Sequence, residues 1–424
     1  MRTIAPLLRP PDATVRIPGS KSHTNRALIC AALAPGTSGL EGALFADDTI
    51  AMVGSLLSLG LAVWADPAGR TITVMNPDGE IPPGPADLDV RMSGTTSRFL
   101  LPVLCLGQGP YRMDGANQLR NRPIAELVSK LRALGATIDG DSLPLTVHGG
   151  GLSGGSVVVQ GSVSSQYLSG LLMVAPRTSS GLYLRVAGDL VSKPYVDLTI
   201  KTMADFGVHV DAHPEFREFT VPPASYRAST VKIEPDASAA SYFFAAAAIT
   251  GGRVRVDGLG TETTQGDLSF VNVLERMGAH VTQTATSTEV RGTGSLHGVC
   301  VDMRDISDTA QTLAIVATFA DSPTEVSGIG FIRKKETDRI AAVVTELSGR
   351  GIRAAETPDG MIIYPGAARP GVVTTYEDHR MAMSFSLLGL VHPGIQIRDP
   401  DCVAKTFPDF FEVLETLRPE PLYG

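Results

Sequence analysis

The sequence predicts a mixed α/β protein built from two similar domains, each containing three copies of one supersecondary repeat. An amphipathic helical segment that ends at a glycine is followed by a short strand, a polar turn and a second strand. This pattern recurs about every 70 to 75 residues, which is longer than the repeat of a solenoid. Strands also alternate with helices along the chain, as they do in α/β folds.

Five copies of the repeat are clear, and a sixth is weaker. The glycines that end the five helices are Gly60, Gly135, Gly207, Gly278 and Gly351. Each stands where a helix commonly ends in a left-handed residue. The sixth copy begins with a helix predicted over residues 381–391. Six copies fit two domains of three repeats.

The 424 residues exceed what one hydrophobic core normally serves, so two domains are expected. Residues 233–242 are similar in character to residues 17–28, with an extended segment, a proline, a capping residue and an alanine-rich helix. We therefore predict one domain over residues 19–234 and another formed by residues 1–18 and 235–424, so that the N-terminal strand joins the C-terminal half. Two hinge crossings would let the domains close over a ligand.

Composition narrows the class of protein. Hydrophobic residues make up 43% of the chain, charged residues 19%, and the formal net charge is −8. The negative charge argues against nucleic acid as the main partner. No apolar run approaches the length of a membrane span, and the N-terminus lacks a secretory hydrophobic region, so we expect a soluble cytoplasmic protein.

The four cysteines are expected to be reduced thiols, mostly in apolar settings. They are Cys30, Cys105, Cys300 and Cys402, and they lie far apart in the chain. Neither a CxxC pair nor a Cys/His zinc spacing occurs, so we expect no metal site.

The stretch from residue 17 to residue 28 carries the first functional pattern. Pro18 and Gly19 favour a sharp turn, after which Ser20 or Ser22 can cap a helix. Lys21, Ser22 and Arg26 then lie at the helix N-terminus, where the helix dipole is already positive. Cations crowded there are explained if an anion binds at the same place. The alternative is a solvated basic turn.

Similar helix starts recur downstream, with hydroxyl, amide or cationic side chains at each tip. They contain Gly94 and Thr95, Arg122 before Pro123, the triplet Ser164, Ser165 and Gln166, and the pair Ser192 and Tyr195. One such start is explained by capping alone. Their repetition suggests that several helix tips converge on a polyanionic ligand.

The C-terminal half places charged residues at similar positions. They are Asp308, Lys335, Glu336, Arg339, His379, Arg380 and Lys405. An N-cap aspartate and a solvated helix face are the alternatives for Asp308 and for residues 333–339. Cations in this number suit two anionic groups held without a metal, and the carboxyls of Asp308 and Glu336 could move protons. No nucleotide-binding glycine motif and no Ser-His-Asp order occurs.

Jointly these segments resemble the 5-enolpyruvylshikimate-3-phosphate (EPSP) synthase family over nearly the whole chain. The most specific are Ser-Ser-Gln at 164–166, Lys-Glu-Thr-Asp-Arg at 335–339, Asp-His-Arg-Met-Ala-Met at 378–383 and Ala-Lys-Thr-Phe-Pro-Asp at 404–409. The resemblance implies two domains of the inside-out α/β barrel type, each made of three βαβαββ units. It implies transfer of the enolpyruvyl group of phosphoenolpyruvate to the 5-hydroxyl of shikimate 3-phosphate, with release of phosphate, in aromatic amino-acid biosynthesis. It also implies that the enzyme needs no cofactor, is a monomer and belongs to a family that glyphosate inhibits.

The resemblance also assigns roles to individual residues. Those implied to hold shikimate 3-phosphate are Lys21, Ser22, Arg26, Ser164, Ser165, Gln166, Ser192, Tyr195, Asp308 and Lys335. Those implied to hold phosphoenolpyruvate are Lys21, Gly94, Arg122, Gln166, Arg339, His379, Arg380 and Lys405. Asp308 and Glu336 would transfer protons, with Lys21 assisting or serving as the acid instead.

Three positions depart from the family pattern, and two related activities stay open. Met92 replaces an asparagine, Phe99 stands near a proline of one subgroup, and Phe331 replaces an asparagine that contacts the shikimate phosphate. The alternatives are transfer to a UDP-sugar, whose enzymes use a loop cysteine that residues 114–121 lack, and transfer to a specialised metabolite, motivated by Phe331. A non-catalytic anion-binding protein would not need Asp308 and Glu336 beside the cations.

Overall fold

The computed structural model describes residues 1–162 and 164–418. The chain folds into two compact units. The first comprises Gly19–Glu234 and is called the N-terminal unit below. The second combines Met1–Pro18 with the chain from Pro235 onward and is called the C-terminal unit.

The strands are short, mostly of three to six residues. They are β1 (Arg2–Thr3), β2 (Asp12–Thr14), β3 (Gly36–Glu41), β4 (Ala62–Asp66), β5 (Thr71–Asn76), β6 (Ala86–Asp89), β7 (Gln108–Asp114), β8 (Thr137–Asp139), β9 (Leu145–Gly149), β10 (Gly155–Gln160), β11 (Leu182–Ala187), β12 (Asp211–Ala212), β13 (Glu218–Val221), β14 (Thr230–Lys232), β15 (Arg253–Asp257), β16 (His280–Gln283), β17 (Ser287–Arg291), β18 (Cys300–Asp302), β19 (Thr324–Ser327), β20 (Ala354–Thr357), β21 (Gly360–Ile363), β22 (Gly371–Val373) and β23 (Ile395–Ile397).

The helices alternate with these strands. They are α1 (Lys21–Leu33), α2 (Asp47–Ser58), α3 (Gly94–Leu104), α4 (Asn117–Arg120), α5 (Ala125–Ala133), α6 (Ser165–Val174), α7 (Lys193–Asp205), α8 (Ala237–Thr250), α9 (Phe270–Arg276), α10 (Ala310–Ala317), α11 (Arg339–Gly349), α12 (His379–Gly389) and α13 (Phe410–Glu415). Short 3₁₀ helices occupy Ala175–Arg177, Gly266–Ser269, Ser307–Thr309, Gly330–Lys334 and Pro400–Lys405.

One sheet pattern is repeated in both units. In the orders β14-β3-β5-β4, β6-β7-β9-β8 and β10-β11-β13-β12 of the N-terminal unit, the first pair is parallel and the other two pairs are antiparallel. The sheets β2-β15-β17-β16 and β18-β19-β21-β20 of the C-terminal unit follow the same pattern. This repetition confirms the predicted α/β class of repeated units.

Each unit is completed by strands from a distant part of the chain. In the N-terminal unit, β14 returns to pair with β3, with Val231 opposite Leu40. In the C-terminal unit, β2 pairs with β15, with Ala13 opposite Val254, and β1 pairs with β23. The N-terminal strands therefore belong to the C-terminal unit.

Each repeat contributes one helix that is buried almost all round. These inner helices are α1, α3, α6, α8, α10 and α12, and their sequences are rich in alanine, leucine and phenylalanine. A helix that is apolar on every side is buried on every side. The outer helices are α2, α5, α7, α9 and α11, and they bury one face only. Each unit accordingly has its own apolar core.

The five helix-ending glycines follow the outer helices, and all have a positive φ, between 79° and 112°. This confirms their predicted left-handed conformation. The prediction for the sixth copy was wrong in detail. The helix near residues 381–391 spans His379–Gly389, and it is a buried inner helix, whereas the predicted pattern described an outer one.

Among the described residues, no helix is long and apolar enough to cross a membrane. The cysteine prediction was partly wrong. Cys30 and Cys105 are buried free thiols, but Cys300 is exposed on β18 and Cys402 is only partly buried.

The inner helices approach one another closely, and Gly170 in α6 tests this packing. A Cβ at Gly170 would lie 2.7 Å from the carbonyl oxygen of Arg98 in α3. We expect Gly170→Ala to destabilise the protein by about 1–3 kcal/mol, as overpacking does, although alanine favours helix. Urea denaturation followed by circular dichroism measures this.

Gly54 provides the matched control, because it lies inside α2 of the same unit. Among the described residues nothing comes within 4 Å of a Cβ built there. Gly54→Ala should stabilise by about 0.5–1 kcal/mol, the ordinary gain of alanine over glycine in a helix. Equal effects of the two substitutions would contradict the close approach of α6 to α3.

Candidate active site

Residues of the predicted site lie at the starts of helices in the N-terminal unit. Ser20, Ser93 and Ser164 cap α1, α3 and α6, and each side chain accepts a hydrogen bond from a backbone N–H of the first turn. Ser192 precedes α7 with a left-handed φ of 56°. The cap of α1 is thus Ser20, which leaves the hydroxyl of Ser22 for other contacts.

Arg26 is buried and joins α1 to α7. Its Nε donates to Thr199 Oγ1 at 2.7 Å, Nη1 donates to the Ser22 carbonyl at 2.9 Å, and Nη2 donates to the Tyr195 carbonyl at 2.9 Å. These partners are dipoles rather than charges, and burial lowers the pKa of Arg26 to about 10. Arg26 therefore fixes the backbone of two predicted ligand residues.

Lys21 pairs with a carboxylate that sequence reasoning missed. Its Nζ lies 3.4 Å from Asp48 Oδ2, and Asp48 is 3% exposed in the first turn of α2. The pair of acidic residues at the start of α2 was the available signal, since acidic residues there also suit the helix dipole. Asp48 restrains the ammonium group at the start of α1.

Gly94 lies against two guanidinium groups. A Cβ at Gly94 would be 2.5 Å from Arg98 Nη1 and 2.7 Å from Arg122 Nη1, so glycine leaves the room that both arginines occupy. Nε2 of Gln166 donates to Thr95 Oγ1 at 3.3 Å, which joins the starts of α6 and α3. The structure brings Gly94, Arg122 and Gln166 together in this unit.

The sequence context of Arg122 predicted that a helix starts at Pro123, and this prediction was wrong. Pro123 lies before the helix, and α5 begins at Ala125 with Ile124 as its N-cap. The Pro123 carbonyl instead accepts hydrogen bonds from Arg98 Nη2 and Tyr167 Oη, at 2.8 and 2.6 Å. The proline therefore fixes the loop that carries Arg122.

The C-terminal unit centres on Arg339, which is 2% exposed. Nε donates to Asp378 Oδ2 at 2.7 Å, Nη2 donates to Glu336 Oε2 at 2.8 Å, and Nη1 donates to Asp308 Oδ1 at 3.2 Å. Burial by itself lowers the pKa of an arginine, but these three carboxylates outweigh burial and raise the pKa of Arg339. One guanidinium thus joins three segments of the chain.

Further cations surround the same carboxylates. Nη2 of Arg380 donates to Asp308 Oδ2 at 2.7 Å, and Lys335 Nζ lies 3.9 Å from Asp308 Oδ1. Lys405 Nζ lies 3.9 Å from Glu336 Oε1. Four cations, those of Arg339 and the three residues above, therefore face the carboxylates of Asp308, Glu336 and Asp378. The sequence analysis predicted the first two carboxylates but not Asp378.

Asp378 was missed because its residue type and position predict only a helix cap. It does cap α12, accepting the Arg380 N–H at 2.9 Å, but its carboxylate also binds Arg339. His379 is fully buried as the first residue of α12, with Nδ1 3.6 Å from Asp378 Oδ1. Tyr242 was also missed, and its hydroxyl accepts from Arg380 Nη1 at 3.3 Å.

The structural alternatives for Asp308 and for residues 333–339 do not describe what is seen. Asp308 lies inside the 3₁₀ helix Ser307–Thr309, and its carboxylate binds arginines instead of capping α10. Within residues 333–339, Arg339 is buried, and Asp338 caps α11 by accepting from Ile340 N and Ala341 N. Arg333 pairs with Asp338 and Glu356, whereas Lys334 is exposed.

Two of the positions that depart from the family pattern place aromatic rings against site cations. The Phe99 ring, fully buried in α3, lies 5.0 Å from the Arg26 guanidinium carbon. The Phe331 ring lies 5.9 Å from Lys335 Nζ. An aromatic face attracts a cation, so both rings help to orient these side chains.

A family model described as EPSP synthase (3-phosphoshikimate 1-carboxyvinyltransferase) matches residues 9–414. The chain belongs to the EPSP synthase family. A 3-phosphoshikimate 1-carboxyvinyltransferase of Nostoc punctiforme is 48% identical over 413 residues, which cover 96% of this chain and 97% of the relative. These matches confirm the resemblance found in the sequence.

Solved structures of EPSP synthases and of a related transferase share the fold. The EPSP synthase of Acinetobacter baumannii aligns with a TM-score of 0.82 and 25% identity over 98% of both chains. The enolpyruvyl transferase NikO of Streptomyces tendae aligns with a TM-score of 0.78 and 20% identity over 98% of this chain and 96% of that chain. The second likeness concerns the fold alone. Transfer to another acceptor is not favoured, because the similar curated relatives are named 3-phosphoshikimate 1-carboxyvinyltransferases.

His23, beside the predicted ligand residues of α1, gives the protein an acid-sensitive group. Burial lowers the pKa of His23 to about 4. Below pH 6.5, the ordinary pKa of histidine, His23 is protonated in the unfolded chain but stays neutral in the folded chain. The free energy of unfolding therefore decreases as the pH is lowered. We expect a loss of about 2 kcal/mol between pH 7 and pH 5.

His23→Gln should remove this loss, and chemical denaturation at the two pH values measures it. His209→Gln, at an exposed position of the same unit, should keep the wild-type pH dependence. A wild-type slope in His23→Gln would contradict a buried neutral imidazole.

Proposed function

We propose that this protein transfers the enolpyruvyl group of phosphoenolpyruvate to the 5-hydroxyl of shikimate 3-phosphate, releasing phosphate, in aromatic amino-acid biosynthesis. Family membership supports the reaction class. One observation carries the mechanism: Asp308 and Glu336 are held on two nitrogens of the buried Arg339 guanidinium. Two carboxyls fixed in this way among cations suit a reaction of anions that moves two protons.

We assign the substrates as the family pattern implies. Shikimate 3-phosphate would be held by Ser22, Arg26, Ser164, Ser165, Gln166, Ser192, Tyr195, Asp308 and Lys335, and phosphoenolpyruvate by Gly94, Arg122, Gln166, Arg339, His379, Arg380 and Lys405, with Lys21 serving both. The assigned residues of the N-terminal unit are mostly at helix starts, and those of the C-terminal unit include the buried cations Arg339, Arg380 and Lys405.

The reaction has two stages, addition and elimination, and protons move in both. Attack of the 5-hydroxyl oxygen on C2 of phosphoenolpyruvate forms a C–O bond, and the hydroxyl proton leaves to a base. C3 gains a proton and becomes a methyl group, which gives a tetrahedral intermediate. Elimination breaks the C2–O bond to phosphate and takes a proton back from C3. We assign Asp308 to the hydroxyl and Glu336 to the methylene carbon, with Lys21 as an acid.

The ion pairs predict how Asp308 becomes available as a base. Its Oδ1 accepts from Arg339 and its Oδ2 accepts from Arg380, so both oxygens are engaged. Arginine binds carboxylate and phosphate in the same bidentate geometry. An anionic substrate that takes over these donors would free lone pairs of Asp308 beside the hydroxyl, which couples substrate binding to base activation.

We also propose that the enzyme is a cytoplasmic monomer without a cofactor. The buried free thiols of Cys30 and Cys105 suit a reducing compartment. Size-exclusion chromatography with light scattering tests the monomer, and activity in metal-free buffer tests the absence of a metal requirement.

Phosphate release from shikimate 3-phosphate and phosphoenolpyruvate tests the reaction, and Asp308→Asn tests the base. The amide keeps the shape of the carboxylate and an acceptor oxygen, but it cannot take a proton. We expect both substrates to bind and kcat to fall at least about 100-fold. Glu325→Gln, at an exposed position of β19, is the control and should stay active. Nearly normal turnover of Asp308→Asn would remove Asp308 from the mechanism.

Arg122→Ala tests the assignment of phosphoenolpyruvate. Losing hydrogen bonds to a charged ligand should raise the KM for phosphoenolpyruvate about tenfold or more, with little change in the KM for shikimate 3-phosphate. Steady-state kinetics with each substrate varied in turn measures this. Arg112→Ala, on the exposed side of β7, is the matched control. An equal rise in both KM values would refute the assignment.

A further inference from the structure

The segment between β22 and α12 contains a tight turn in an unfavourable conformation. The Asp378 N–H donates to the Thr375 carbonyl at 2.9 Å, and the two residues between them, Tyr376 and Glu377, both have a φ of 55°. Two successive positive φ values define the type I′ class of turn, which glycine, asparagine and aspartate favour. Tyrosine and glutamate persist in this conformation only where neighbouring contacts hold it.

Helix α11 holds this turn at two points on one face. Arg339 and Glu346 are seven residues apart, which is two helical turns, so their side chains leave the same face. Arg339 binds Asp378 at one end of the turn. Glu346 accepts the Thr374 N–H at 3.1 Å and the Tyr376 hydroxyl at 2.9 Å at the other end.

The burial of these two residues is the reverse of what their types prefer. Glu346 is 8% exposed although it carries a carboxylate, and Tyr376 is 37% exposed although it is aromatic. A buried carboxylate is costly unless it is hydrogen-bonded, and its two oxygens accept from this turn. Partial burial and the hydrogen bond to Glu346 raise the pKa of Tyr376 to about 12, so the hydroxyl remains a donor.

The turn sets the groups that follow it. Asp378 receives Arg339 and caps α12 through the Arg380 N–H, and Arg380 in turn donates to Asp308. A shift of the turn would therefore displace Asp378 and Arg380, whereas Asp308 would stay held by Arg339 of α11. No catalytic or substrate contact has to be assumed for Tyr376 or Glu346.

We propose that Tyr376 and Glu346 are positioning residues, whose hydrogen bond keeps the strained turn in register with α11 and so places Asp378 and Arg380 for the reaction. This inference rests on the proposed function, because it takes Arg380 to bind phosphoenolpyruvate. It predicts an effect on that substrate from residues that touch neither substrate.

The test compares Tyr376→Phe and Glu346→Gln with a matched control, Tyr364→Phe. The Tyr364 ring lies against the Arg353 guanidinium in the same unit and takes no part in the turn. Tyr376→Phe and Glu346→Gln should raise the KM for phosphoenolpyruvate about tenfold, the usual effect of a lost hydrogen bond to a charged group. The KM for shikimate 3-phosphate should stay close to that of the wild type and of Tyr364→Phe. Both variants should remain folded at the assay temperature, which circular dichroism checks.

A rescue variant separates positioning from general damage. Glycine adopts a positive φ without strain, so Glu377→Gly should let the turn keep its shape without the hydrogen bond between Tyr376 and Glu346. Tyr376→Phe combined with Glu377→Gly should recover most of the wild-type KM for phosphoenolpyruvate. If Tyr376→Phe alone does not fold, a folded double variant with this recovery supports the inference, and an unfolded one overturns it.

The remaining outcomes each have a definite meaning. If the wild type is active and the two variants match Tyr364→Phe, the positioning role is wrong and the proposed function stands. A loss that affects both substrates equally, in step with a lower melting temperature, also overturns the positioning role. If the wild type releases no phosphate from the two substrates, the proposed function fails and this inference fails with it.

Discussion

The C-terminal unit depends on the ion pairs between the buried guanidinium of Arg339 and three carboxylates. A charged group at 2% exposure is tolerated only when charges of opposite sign and hydrogen bonds replace water. Three carboxylates do this, and they come from the segment before α10, from the start of α11 and from the start of α12. Removing any one of them would leave charge uncompensated, so the geometry of Asp308 and Glu336 and the stability of the unit are coupled.

In the N-terminal unit, a buried guanidinium is stabilised by dipoles instead of carboxylates. Arg26 is as buried as Arg339, but its partners are the hydroxyl of Thr199 and the carbonyls of Ser22 and Tyr195. Its positive charge is therefore spread over dipoles and is not cancelled by a carboxylate. Together with the helix starts around it, this leaves the N-terminal unit suited to a fully charged anion, whereas the C-terminal unit carries cations and carboxylates in near balance.

That difference bears on the proposed roles: Asp308 and Glu336, the carboxyls assigned to proton transfer, both lie in the C-terminal unit, whereas the N-terminal unit supplies helix starts and cations for anion binding. A phosphorylated acceptor needs donors and positive potential, which capped helix starts supply without proton transfer. The reacting enol ester needs groups that both bind an anion and exchange protons, and the Arg339 network contains both. The aromatic rings of Phe99 and Phe331 lie against one site cation in each unit, so the positions that differ from the family pattern still act on cation orientation.

The sequence by itself determined the repeat, the class of fold and the family. The positive φ of glycines such as Gly60 and Gly278 could be predicted, because the left-handed residue at a helix end is a local requirement. Short motifs likewise marked Asp308, Arg339 and Arg380, since charged residues at helix starts are visible along the chain. The start of α5 at Ala125 was misplaced because a proline in a loop looks the same in sequence as one at a helix start.

Only the tertiary structure decided which charges meet. Asp378 and Asp48 look like ordinary residues of a first helical turn, and nothing local distinguishes them from a cap. Their partners, Arg339 and Lys21, lie tens of residues away, and the pairing depends on how buried helices pack. The sequence could thus name the cations and the family, but the balance between cations and carboxylates is a property of contacts distant in the chain, which folding alone creates.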